Sequence, residues 1–217
     1  MTPHLTPCST DCLIVIDMQR DFLPREAGFE GALGVPRGEE ILAPIEALAA
    51  RFEHVVLTAD WHPQGHISFA STHERPPFES IEAAYGPQML WPDHCVQNTS
   101  GAEIAVDIPH AELILRKGFR QTIDSYSAFL ENDHMTPTGL AGYLRERQLH
   151  RLFFVGLAYD FCVGSSAVDG AKMGFECVVI EELTRAVNVP VAGSLSSVDA
   201  MRQSLASQHV ATRTASL

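Results

Sequence analysis

The sequence predicts an α/β protein of three layers, a mainly parallel sheet of roughly six strands with helices on both faces. Three observations carry this. Short apolar runs with no polar alternation, such as residues 13–16 and 152–155, have the pattern of strands covered on both faces. Between such runs stand segments of helical period, and strands alternating with helices call for a parallel sheet. Finally, 217 residues at 46% hydrophobic and 19% charged suffice for one domain, residues 1–217, with a sizeable core.

The elements follow in order. After a polar tail, Leu13, Ile14, Val15 and Ile16 form a strand that ends at Asp17. The next segment, MQRDFLP, reads as a loop bearing an exposed Phe22, and residues 25–37 are rich in glycine and charge. Ile41, Ile45, Leu48, Ala49 and Phe52 recur at helical spacing. HVVLT at 54–58 is the next strand and runs into Asp60, Trp61 and His62. Residues 61–110 carry many Pro, His, Ser and Gly and no sustained period; so long a connection usually signals a functional loop. ELILR at 112–116 is a strand followed at once by Lys117 and Gly118, and 138–148 reads as a helix. The apolar run 152–155 stops at Gly156, after which Val163, Ala167, Val168 and Ala171 mark a helix closed by Gly174. Residues 177–180 give a fifth strand, 194–206 a last helix capped by Ser194, and 209–211 a short final strand.

A formal net charge of −12 argues against nucleic acid or an anionic membrane surface as partner, since both reward basic patches. With no long apolar span and no signal-like start, the expected location is cytoplasmic. Five scattered cysteines do not make a disulfide framework, and a reducing compartment suits them; Cys8 and Cys12 read as structural or incidental.

Right-handed crossovers put every strand's carboxyl end on one edge of the sheet, where ligands of such sheets bind. That constraint gathers Asp17, Asp60, Lys117 and Cys162 onto one rim. Each alone has a plainer explanation: a turn residue, a loop carboxylate, a surface charge, a small buried hydrophobe. Together they suit nucleophilic attack on an acyl carbon. Cys162 falls in the first turn of a helix, where free N–H groups and the helix dipole favour a thiolate. Asp17 can take the thiol proton and pass it to a leaving amine, and Lys117 supplies positive charge. Backbone N–H groups of the turn 158–162 can meet the oxyanion. A second group, Asp60, His62 and the distant His94, is a ligand set for zinc, iron or manganese with positions left open, and His66 is either a fourth ligand or a residue that orients the others. The alternative is a loop of satisfied polar side chains.

IDMQRDF at 16–22, TADWHPQGHISF at 58–69, WPDHCV at 91–96, RKGF at 116–119, DSYSAF at 124–129 and GLAYDFCV at 156–163 together resemble the nicotinamidase (pyrazinamidase) branch of the isochorismatase-like cysteine hydrolases. The motifs keep the family order from residue 12 to past 187. The resemblance implies the isochorismatase-like fold and a catalytic triad of Asp17, Lys117 and Cys162. It implies one divalent metal, zinc before iron or manganese, on Asp60, His62 and His94. It further implies a cis peptide between Leu157 and Ala158, with the Ala158 and Cys162 amides as oxyanion hole, and aromatic walls from Phe22, Trp91 and Tyr126 around a pyridine ring whose nitrogen faces the metal or a water beside it. The implied partner is a small amide, nicotinamide and also pyrazinamide, and homo-oligomers are compatible with it. Gly164, Ser165 and Ser166 depart from the basic residue and Ala-Thr that often follow the family's Cys-Val, and Phe161 makes the wall beside the sulfur apolar. The rival readings are a relative acting on another small amide or on isochorismate, and a silent binding module of the same fold.

Overall fold

The computed structural model describes residues 6–190 and 195–213. Its elements are β1 (Asp11–Ile16), α1 (Leu42–Ala49), β2 (His54–Asp60), β3 (Ser80–Ala83), β4 (Gly86–Met89), β5 (Leu113–Lys117), α2 (Leu140–Glu146), β6 (Arg151–Leu157), α3 (Gly164–Lys172), β7 (Glu176–Arg185), α4 (Ser197–Ser207) and β8 (Ala211–Arg213). Six strands form one sheet in the order β5-β2-β1-β6-β7-β8, and every neighbouring pair is parallel. Among the described residues no helix is long and apolar enough to cross a membrane.

Both faces of the sheet are covered because the middles of its central strands are apolar on both sides. Leu13, Val15, Val55, Leu57, Phe153 and Val155 project to one side and pack with Ile45 and Leu48 of α1. Cys12, Ile14, Val56, Leu152 and Phe154 project to the other and meet Leu140 and Leu144 of α2, Ala167 of α3 and Leu205 of α4. This is the two-sided burial that the unalternating runs imply.

The differences from the sequence reading lie at ends and in the long loop. β6 does not stop at Gly156: with φ at 107°, this glycine continues the strand against β1 where an added Cβ would lie 2.1 Å from the Ile16 carbonyl oxygen. β7 runs past residue 180 to Arg185, re-pairing with β6 across a register irregularity. Lys117 is the last residue of β5 rather than the first beyond it. The 61–110 segment contains an antiparallel hairpin of β3 and β4. Phe22 is buried, at 7% exposure, beneath this loop region. α4 begins at Ser197, with Ser196 as the cap that accepts from the Asp199 amide at 3.1 Å; Ser194 lies outside the described residues. The final strand starts at Ala211 because His209, at φ 55°, still turns the chain out of the helix.

The two central strands are also tied at their amino ends. Arg151 donates from Nε to Asp11 Oδ1 at 2.8 Å and from Nη2 to Oδ2 at 2.6 Å, and the Cys8 amide adds a third bond to Asp11. Burial pushes the Asp11 carboxyl up, but the bonds from Arg151 and Cys8 prevail and hold it below its usual value. A depressed carboxylate stabilises the fold above its unfolded-state pKa, and the contribution is lost as pH falls through the folded-state value. Asp11→Asn is therefore expected to lose about 1.5–3 kcal/mol in urea unfolding at pH 7. Its deficit against the wild type should shrink below about pH 4.

Candidate active site

The parallel sheet delivers four side chains to one rim. Asp17 follows β1 directly, at φ 47°, Asp60 closes β2, Lys117 closes β5, and Cys162 lies in a wide helical turn, Tyr159–Val163, between β6 and α3. Lys117 is 1% exposed and is the hub. Its Nζ stands 2.5 Å from Asp60 Oδ1, 2.8 Å from Asp17 Oδ2, 2.8 Å from the Ser125 carbonyl oxygen and 3.4 Å from Cys162 Sγ. A carboxylate oxygen each from Asp17 and Asp60 and the Cys162 sulfur lie within 4.8 Å of one another.

The electrostatics correct one expectation. Burial raises the Cys162 thiol well above its ordinary pKa; Lys117 opposes this, while Asp17 and Asp60 add to it. The sulfur therefore rests as a thiol despite the helix beyond it, and its chemistry needs a base. Burial also raises the Asp17 carboxyl, against Lys117 and together with Asp60. For Lys117 burial works downward, but the charges of Asp17 and Asp60 keep its pKa well above the usual ammonium value.

On the other side of Asp60 stand two imidazoles. Asp60 Oδ2 is 3.6 Å from His62 Nε2 and 3.9 Å from His94 Nε2, and the three residues offer donor atoms all within 4.8 Å. His62 Nδ1 lies 2.8 Å from the Gly118 carbonyl oxygen, and His94 Nδ1 2.7 Å from that of Pro92. A carbonyl only accepts, so each Nδ1 carries the hydrogen and each Nε2 is turned toward Asp60; burial works against the charged form of His62, but Asp60 prevails and raises its pKa. Burial, with His62 nearby, lowers the His94 pKa to about 4, so this imidazole is neutral at pH 7. Two such nitrogens and a carboxylate oxygen fit a divalent ion of the zinc, iron and manganese group. His66 falls outside this trio. Its Nδ1 accepts from the Ser68 amide at 3.3 Å, its Nε2 donates to the Ile123 carbonyl at 3.2 Å, and its ring stacks on His62 with centroids 4.2 Å apart. With His62 and Asp124 it makes a second close group of donor atoms.

A cavity opens over both groups. Phe22, Trp91 and Tyr126 line it together with Asp60, His94, Ala158 and Cys162. Phe22 stands against His94 with centroids 5.4 Å apart, and Trp91 Nε1 donates to the Tyr126 hydroxyl at 3.0 Å. Phe161 sets its ring perpendicular to Trp91, centroids 4.8 Å apart, which makes this wall apolar. The Leu157–Ala158 peptide is cis, and the Ala158 carbonyl accepts from both the Phe161 and Val163 amides at 3.1 Å.

Several contributors escape a reading of the sequence. Gln19 grips the peptide of Asp60: its Oε1 accepts from the Asp60 amide and its Nε2 donates to the Asp60 carbonyl, both at 2.8 Å. Asp21 accepts from the Cys95 amide at 2.7 Å, next to His94. Thr58 touches Asp17, and Ser125 offers its carbonyl to Lys117. Thr58 alone had a signal, since it lies two residues before Asp60 and so shares its side of β2.

Comparison with known proteins identifies the family. The isochorismatase domain model matches residues 11–211. The nicotinamidase of Acinetobacter baylyi is 48% identical over 180 residues, which is 82% of this chain and 82% of that protein. The solved structure of an Acinetobacter baumanii nicotinamidase/pyrazinamidase has a TM-score of 0.89 at 44% identity, covering 96% of this chain and 97% of that one. That of PnC1 from L. infantum in complex with nicotinate has a TM-score of 0.82 at 38% identity, covering 99% and 98%. Fold and rim thus define a three-layer α/β hydrolase with a thiol at a strand end. The chain belongs to the isochorismatase family, and within it resembles the nicotinamidases.

Gly118 gives a test of the imidazole geometry. It sits at φ 62°, and an added Cβ would lie 2.5 Å from His62 Cε1. Gly118→Ala is expected to displace His62 and to weaken zinc binding about 10- to 100-fold in competition with a chromophoric chelator.

Proposed function

We propose that this chain is a cysteine amidohydrolase that converts nicotinamide to nicotinate and ammonia, and accepts pyrazinamide as well. The observation that carries the reading is the meeting of a thiol, a carboxylate and an ammonium in one buried cluster, beside a carboxylate and two imidazoles, under a cavity walled by aromatic rings.

Cys162 is the nucleophile and enters each turnover as a thiol. Asp17 removes its proton as the sulfur attacks the carboxamide carbon, and Lys117 keeps a fixed positive charge beside both groups as negative charge moves from oxygen to sulfur. The carbonyl oxygen becomes an oxyanion facing the Ala158 and Cys162 amides. Asp17 then returns the proton to the amide nitrogen, the C–N bond breaks, and ammonia leaves a thioester on Cys162. A water gives one proton to Asp17 and its hydroxyl to the acyl carbon; the C–S bond breaks, the sulfur recovers the proton from Asp17, and the acid gives its remaining proton to solvent and departs as nicotinate. Phe22, Trp91 and Tyr126 hold the ring by its faces and edges, which sets the carboxamide toward the sulfur.

Asp60, His62 and His94 would hold the divalent ion, with zinc ahead of iron and manganese. When bound it supplies a Lewis acid for the ring nitrogen or for a water beside it. His66, whose two nitrogens are taken by Ser68 and Ile123, orients His62 by stacking rather than acting as a ligand.

Ammonia release from nicotinamide by zinc-loaded protein tests the reading. Cys162→Ala should lower it at least about 1,000-fold. Retained activity in that variant, or none in the wild type, sinks the assignment. His94→Ala should lose its zinc on dialysis, as read by elemental analysis, while it keeps a single cooperative thermal unfolding transition.

A further inference from the structure

We infer that Thr58 is a positioning residue that orients the Asp17 carboxylate so that one of its oxygens is kept for the Cys162 thiol proton. The inference rests on the assignment of Asp17 as the base, and it follows from an account of every donor in the cluster.

Thr58 is 1% exposed, one turn of the pleat before Asp60 on β2. Its hydroxyl donates to Asp17 Oδ1 at 2.6 Å, and its oxygen accepts from the Asp17 amide at 3.1 Å. One side chain thus grips Asp17 at both its main chain and its carboxylate. This matters because Asp17 stands at φ 47°, a conformation in which an aspartate needs local support.

Lys117 does not hold the second oxygen in the same way. An ammonium has three hydrogens. Four acceptors surround those of Lys117: Asp60 Oδ1, the Ser125 carbonyl, Cys162 Sγ and Asp17 Oδ2. Asp17 Oδ2 lies 2.8 Å from Nζ and is held by the charge of the ammonium, and outside this cluster no donor reaches it although it is buried. Its remaining close neighbour is the thiol, with the donor atoms of Asp17, Asp60 and Cys162 grouped within 4.8 Å. The S–H bond of Cys162 breaks and an O–H bond forms on Asp17 Oδ2. With Oδ1 fixed by Thr58, the carboxylate cannot rotate Oδ2 away from the ammonium and the sulfur.

Thr58→Val keeps shape and volume and removes only the hydroxyl, and Thr58→Ser keeps the hydroxyl. For nicotinamide, Thr58→Val is expected to lose about 10- to 100-fold in kcat with KM within about threefold, and Thr58→Ser to recover to within about threefold of wild type. Substrate-free alkylation of Cys162 by iodoacetamide should slow in the valine variant and recover in the serine variant. This readout is independent of amide hydrolysis: if the wild type hydrolyses no nicotinamide, the functional assignment falls while the alkylation series still decides the role of Thr58. Wild-type kcat and alkylation rate in a folded Thr58→Val protein overturn the inference, as does a serine variant no better than valine. Should the valine variant fail to fold, Thr58→Cys, with its weaker donor, must fall between serine and a complete loss, and a wild-type rate there overturns it equally.

Discussion

The architecture turns on a single buried cation. The ammonium of Lys117 is sealed from water at the end of β5, and a charge in that position persists only where opposite charges and acceptors surround it. Asp17 and Asp60 provide the charges, the Ser125 carbonyl and the Cys162 sulfur the remaining contacts. Removing one member of such a cluster strands the others, at a cost of about 3–5 kcal/mol for a broken buried pair. The cluster is therefore a structural joint among four strands, and the proposed chemistry would sit at that same joint, so its geometry could not relax without loss to both.

Topology makes the joint possible. In a parallel sheet all carboxyl ends share an edge, so residues at positions 17, 60, 117 and 162 become neighbours without any of them being near in sequence. Gly156 lets β6 lie close against β1, and Gly118 makes room for the His62 ring. The walls of the cavity come from elsewhere: Phe22 from the loop after β1, Trp91 from just beyond β4, Tyr126 and Phe161 from the segments after β5 and β6.

The strands and the rim were legible because unbroken apolar runs ending in a charged or reactive residue are rare enough to locate strand ends. What was not legible depends on long-range contacts. Phe22 looked exposed, since a polar neighbourhood in sequence says nothing of the loop that later covers it. The β3–β4 hairpin stayed hidden because its strands run only four residues each and GPQM opens on Gly-Pro, a turn signal. β7 seemed to end at Ile180, where two glutamates follow, yet the chain goes on pairing past them. The helical start beyond Cys162 suggested a thiolate, and burial with two nearby carboxylates reverses that. The donor accounting around Asp17 could not be read at all before the side chains had places.

Asp60 faces both ways, with one oxygen on the lysine and the other turned to the imidazole pair. This sharing makes the two halves of the pocket a single inheritance. Replacing His62 and His94 would alter the surroundings of the carboxylate that the lysine also holds, so a scaffold redesign that treats the sulfur and the imidazoles as independent modules starts from the wrong partition.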